Sequence, residues 1–131
     1  MNRIVTSAAL ATLTLVSLSG CTSTQSAGNS STAVTFNKTT GNIYTTVDRS
    51  LDDSFEAAKR AMDDMGYKTE ESNKDVMKGI VKAREADNSR ITIQLDRQSN
   101  KVTQIEANVG PFGSESKARL ILDKILSRLG R

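Results

Sequence analysis

Ile91, Ile93 and Leu95 alternate with Thr92, Gln94 and Asp96, and Ile105, Ala107 and Val109 alternate with Gln104, Glu106 and Asn108. Successive side chains on a strand point to opposite faces, so this period of two predicts two strands that are apolar on one side and wet on the other. A sheet with one apolar face folds only if something covers that face. The pattern therefore restricts the chain to a layered fold and asks the remaining segments for a cover.

Two segments answer. Leu51, Phe55, Ala58, Met62 and Met65 recur at helical spacing, and so do Ala118, Ile121, Leu122, Ile125 and Leu129. Each set makes an apolar stripe on an otherwise charged helix. Ser50 with Asp53 three residues on predicts the start of the first helix, and Gly66 its left-handed end. Glu56 with Arg60 and Arg60 with Asp64 are oppositely charged at i,i+4 spacing. Further strands are expected at Ile43 to Val47, from Tyr67 to Glu71 and at Gly79 to Arg84, with turns at Asn73 to Asp75, Asp87-Asn88 and Ser99-Asn100. Gly110-Pro111-Phe112-Gly113 breaks the last strand, with Phe112 expected to pack on the helix that runs from about Ser114 to Leu129. The expected fold class is α+β, a two-layer sandwich in which an antiparallel sheet of four to five strands carries two amphipathic helices on one face. The chain has no Trp, three Phe and two Tyr, so its core must be aliphatic.

The N-terminus has a separate logic. Asn2 and Arg3 precede an apolar run from Ile4 to Leu18, and the only cysteine, Cys21, follows Leu18-Ser19-Gly20. The run is too short and too rich in Ser and Thr for a spanning helix of about 20 apolar residues. Leu18-Ser19-Gly20-Cys21 resembles the lipobox of bacterial lipoproteins. That resemblance implies lipid on the Cys21 sulfur, cleavage between Gly20 and Cys21, and acylation of the new α-amine. Residues 22 to 42 are mostly Thr, Ser, Asn, Gly and Ala, a composition expected of a flexible tether. The expected domains are a signal peptide at 1–20, a lipidated Cys and tether at 21–42, and a small α+β domain at 43–131. Thr22, where lipoproteins retained at the inner membrane often carry Asp, favours an outer-membrane address facing the periplasm in a Gram-negative cell.

Beyond the lipobox, the stretch from Ala57-Ala58 to Gly66-Tyr67, Gly79-Ile80-Val81-Lys82-Ala83, and Val109-Gly110-Pro111-Phe112-Gly113-Ser114-Glu115 resemble a family of small bacterial lipoproteins of unknown function. The resemblance spans roughly residues 43 to 129 and implies a fold and a location but no activity. Ser114 stands where the pattern often has Asp, which keeps the capacity to cap a helix and drops a charge.

Chemistry is constrained by what the chain lacks. It contains no histidine, which removes Ser-His-Asp and Cys-His catalysis and histidine-based zinc or haem ligation. Asp52/Asp53, Asp63/Asp64 and Glu70/Glu71 are adjacent pairs, whose members do not face each other on a helix or strand, so they read as solvated surface. Glu85, Asp87 and Asn88 lack the spacing of a calcium loop and read as a hairpin turn. The Gly110 to Gly113 turn offers backbone donors ahead of a helix to an anion; packing of the turn is the simpler reading. The net charge of +3 comes from 18 basic and 15 acidic residues without a basic block, so nucleic acid is not an expected partner.

The expectation is a non-enzymatic binding or assembly module at the cell envelope, with no cofactor and no metal. Its expected partners are the membrane, through lipid on Cys21, the lipoprotein-processing enzymes, and an envelope protein or glycan on the wet sheet face. Gln94, Gln104 and Glu106 are the candidate contact residues there. The alternatives are a small-ligand or ion-sensing lipoprotein and, further off, a carboxylate-based envelope hydrolase.

Overall fold

The computed structural model describes residues 33–130. The segment expected to be a signal peptide, Cys21 and the first part of the expected tether lie outside them. The described chain runs β1 (Val34–Asn37), β2 (Asn42–Val47), α1 (Leu51–Asp64), β3 (Lys68–Lys74), β4 (Lys78–Arg84), β5 (Arg90–Ser99), β6 (Val102–Val109), α2 (Glu115–Arg128). The six strands form one antiparallel sheet in the order β1-β2-β6-β5-β4-β3. The α+β architecture with two helices is the expected one, but the sheet has six strands where four to five were expected.

The order follows from one long crossing. β1 and β2 form a hairpin, α1 carries the chain to the far edge, and the meander β3-β4-β5-β6 returns until β6 pairs with β2. α1 packs over β3, β4 and β5, α2 over β6 and β2, and the helices pack on each other. Between the layers lies an aliphatic core in which Ile43, Met62, Val81, Ile91, Ile93, Leu95, Ile105, Ile121, Leu122 and Ile125 are fully buried.

Helix α1 starts as expected. Ser50 Oγ accepts from the Asp53 amide at 3.1 Å and donates to the Asp53 carboxylate at 2.8 Å, and Gly66 closes the helix at φ +71°. Its charges pair differently from the i,i+4 expectation. Glu56 pairs with Lys59 at 3.4 Å, and Asp64 accepts from Lys124 at 3.5 Å and from Arg128 of α2. Gly79 is buried under α1, and a Cβ there would lie 2.9 Å from the Phe55 ring; its absence lets the ring sit against the β4 backbone.

Two boundaries and one cap are corrected. The tether expected over 21–42 contains β1: Val34 and Phe36 pack against the core and alternate with exposed Thr35 and Asn37, so the sheet begins at 34 instead of 43. The turn expected at Asn73 to Asp75 starts later, because β3 continues to Lys74 and the Asp75 carboxylate accepts from the Met77 and Lys78 amides at 2.7 Å each. Ser114 occupies the N-cap position of α2, yet its side chain makes no capping bond.

Candidate functional site

The two helices leave the opposite face of the sheet uncovered, and that face is built almost wholly from the polar members of the alternating strands. Register brings them together: Tyr44 of β2 stands opposite Glu106 of β6, Glu106 opposite Gln94 of β5, and Gln94 opposite Ile80 of β4. The next row is Thr46, Gln104, Asp96 and Lys78. Gln94, Gln104 and Glu106 thus share one face on neighbouring strands, where opposed residues lie about 5 Å apart.

They are not equivalent. Gln94 is exposed, whereas Gln104 and Glu106 are half-buried. Glu106 accepts from Asn42 Nδ2, which also donates to the Tyr44 hydroxyl at 3.3 Å, and Asn108 Nδ2 donates to Asn42 Oδ1 at 2.6 Å. Burial, reinforced by the nearby Asp96 carboxylate, holds Glu106 above the ordinary glutamate value, against hydrogen bonds from Asn42 and Tyr44 that lower it. Gln104 Oε1 accepts from Gln98 Nε2 at 3.2 Å. Asn42, Tyr44 and Asp96 were absent from the residues singled out by sequence. Tyr44 and Asp96 were visible there as polar-side members of their strands, while Asn42 fell inside the segment read as tether.

Two shallow depressions flank this network. One, of ≈ 320 Å³, is lined by residues including Lys78, Ile80, Gln94 and Asp96. The other, of ≈ 450 Å³, is lined by residues including Thr35, Tyr44, Thr46 and Gln104. Amides, hydroxyls and one carboxylate on an open surface can hydrogen-bond a polar partner laid across the strands; they do not enclose it.

The other candidates resolve into local structure. Asp52 pairs with Lys74, Glu70 with Arg84 at 2.6 Å and Glu71 with Lys82 at 2.7 Å. Hydrogen bonding to Lys74, Arg128 and Lys82 holds the carboxyls of Asp52, Asp64 and Glu71 respectively below their ordinary values. Lys117 reaches Glu85 at 2.5 Å and Asp87 at 3.4 Å, and Asn88 Oδ1 accepts from Arg84 at 3.1 Å. No group of three or more potential metal-ligating side chains occurs among the described residues.

At the Gly110 to Gly113 turn the amides of Gly110 and Ser114 are spent on Arg90 and Val109 carbonyls at 2.8 and 2.9 Å. Phe112, expected against α2, is 91% exposed. The turn is packed by its backbone instead: Gly113 lies directly against Gly41 of the β1–β2 turn, both at positive φ, and this crossing leaves the ring outside. Gly20 and Cys21 lie outside the described residues.

The family described as protein of unknown function (DUF3568) matches residues 4–128, and the chain belongs to it. No curated protein matches the chain.

Proposed function

We propose that this protein is a lipid-anchored component of the cell envelope, held by lipid on Cys21 at the outer membrane and facing the periplasm. Its α+β domain is a non-enzymatic binding or assembly module. The observation that carries the binding role is the uncovered sheet face, on which Gln94 stands exposed beside Glu106 and Gln104. The hydrogen bonds among Asn42, Tyr44, Glu106 and Asn108 fix the face before any partner arrives, which reduces the ordering cost of binding. An envelope protein or a glycan fits such a surface, because both present hydroxyls and amides over an extended area. Engagement of the carboxylates by Lys and Arg speaks for structure over acid–base work. The sequence from Asn2 to Cys21 supports the anchor.

Two experiments test this reading. Cys21→Ser should accumulate as an uncleaved precursor; processing at Gly20 with unchanged membrane attachment would refute the anchor. A photo-crosslinking residue at position 94 in intact cells should give a discrete adduct that the same residue at position 56, on the exposed face of α1, does not. Identical adduct patterns at both positions would refute the binding face.

A further inference from the structure

Val76 and Met77, at the tip of the β3–β4 turn, are 74% and 56% exposed. Two adjacent bulky apolar side chains in water usually belong to a loop that can fold back, but this one is braced. The Asp75 carboxylate accepts from the Met77 and Lys78 amides, the Asp75 amide donates to the Lys78 carbonyl at 2.8 Å, and the Arg97 amide donates to the Met77 carbonyl at 2.8 Å. Arg97 Nη1 donates to the Val76 carbonyl at 3.1 Å. The tip is therefore apolar outside, while both its carbonyls and the Met77 amide are already satisfied, as a low-dielectric surrounding requires.

The strand register places this tip. Lys78, Asp96, Gln104 and Thr46 form one row, and Val34 stands opposite Thr45. Ala33, where the described chain begins, therefore sits at the same end of the sheet as Met77, four strands away, or about 19 Å across. Eleven residues lie between Cys21 and Ala33, and the twelve steps from one to the other reach at most about 40 Å. To lay the opposite end on a bilayer, those residues would have to run back beside the sheet for about 20 Å, the rise from Lys78 to Arg84 along β4, and so spend about half of that reach. The geometry of the anchor thus favours this end.

We infer that the β3–β4 turn rests in the interfacial layer of the bilayer, with Val76 and Met77 inserted, so that the domain stands with a fixed end toward the lipid and Phe112 directed away. The inference rests on the lipid anchor proposed above. Lys74 and Lys78 flank the tip but pair with Asp52 and Asp96, so apolar contact is the main attraction and the dependence on anionic lipid is weak.

The test uses the full lipidated chain in phosphatidylethanolamine vesicles with and without phosphatidylglycerol. With Cys21 blocked as a thioether, Met77→Cys and Phe112→Cys each accept one environment-sensitive fluorophore, and neither position lies in the core. Emission from position 77 should shift to the blue on both kinds of vesicle and fall about twofold or more with lipids spin-labelled near the headgroup, whereas position 112 should respond to neither. If the protein floats with vesicles while position 77 stays in water, or while position 112 responds equally, this inference is overturned and the anchor stands. If it floats no better than Cys21→Ser, both are overturned.

Discussion

Replacing Gly113 with alanine tests the packing that turns the last strand into α2. Gly113 sits at φ +72°, and a Cβ built on it lies 2.2 Å from the Gly41 carbonyl oxygen and 2.3 Å from the Gly41 Cα. Both obstacles are backbone, so no rotamer change relieves them. The left-handed conformation costs an L-residue about 1–2 kcal/mol, and over-packing adds about 1–3 kcal/mol, giving about 2–5 kcal/mol in all. Gly110 supplies the control. It sits at φ +75° in the same turn, yet its Cβ would meet nothing within 4 Å, so Gly110→Ala should lose only the conformational part, about 1–2 kcal/mol. In urea, where a domain of this size has an m-value of about 1–2 kcal/mol per M, the two midpoints should differ by about 0.5–3 M. Gly41→Ala, whose Cβ would lie 2.5 Å from the Phe112 carbonyl oxygen, should add less than its own cost on top of Gly113→Ala, because the crossing is already broken. Equal midpoints for the 110 and 113 variants would refute the close crossing of the two turns.

Ile93 is fully buried and Gln94, its neighbour, points to the open face, so Ile93→Ala or Ile125→Ala should lose about 2–5 kcal/mol and Gln94→Ala almost nothing. Equal losses at 93 and 94 in chemical denaturation would contradict the strand faces. Glu106 is held above its ordinary value by burial and Asp96, so its ionisation costs more in the folded chain, and its contribution is lost as pH rises through 4.5 toward the raised value. Glu106→Gln should therefore gain on the parent as pH rises above 4.5; a parallel pH profile for the two proteins would sink this. Asp64 is held low, chiefly by its hydrogen bond from Arg128, so its contribution is present above 3.8 and lost as pH falls further. Asp64→Asn should show a shallower loss of stability on the acid side, and an unchanged acid limb in denaturation at graded pH would argue against the pairing.

Elements with a full amphipathic period could be read from the residues alone. Both helices, and β4, β5 and β6 with the inward side of each, follow from positions such as Phe55, Ile93, Ile105 and Ile125, since burial enforces the period there; β3 buries no side chain and shifts register between Thr69 and Glu71, so only its start could be read. Features set by tertiary contacts could not. Val34 and Phe36 do alternate with Thr35 and Asn37, but four residues inside a Ser/Thr-rich run give too short a period to outweigh composition. Phe112 was drawn inward by its hydrophobicity, while the contact that positions it is between two glycine backbones far apart in sequence. The candidate face was visible as polar positions on β5 and β6. Its partner residue Asn42 was not, because only the β2–β6 register brings it beside Glu106 and Asn108.

Strand β1 is where the fold should open first. It has four residues, pairs only with β2 and contributes two partly buried side chains, and its main contact is with β2. β6, by contrast, is flanked by β2 and β5 and buries Thr103, Ile105, Ala107 and Val109. Local opening costs what the opened contacts are worth, so β1 should detach well below the free energy of global unfolding. β1 is also the first described element after the segment that begins at Cys21, so tension on that segment would act on the least stable part of the sheet while the core stays closed. Native-state hydrogen exchange can measure this. Bonded amides of β1 should open at several kcal/mol below those of β5 and β6, with an opening that depends little on denaturant because little surface is exposed. If β1 amides instead exchange only with global unfolding, the strand is an integral part of the cooperative core, and its small buried area underestimates how tightly β2 holds it.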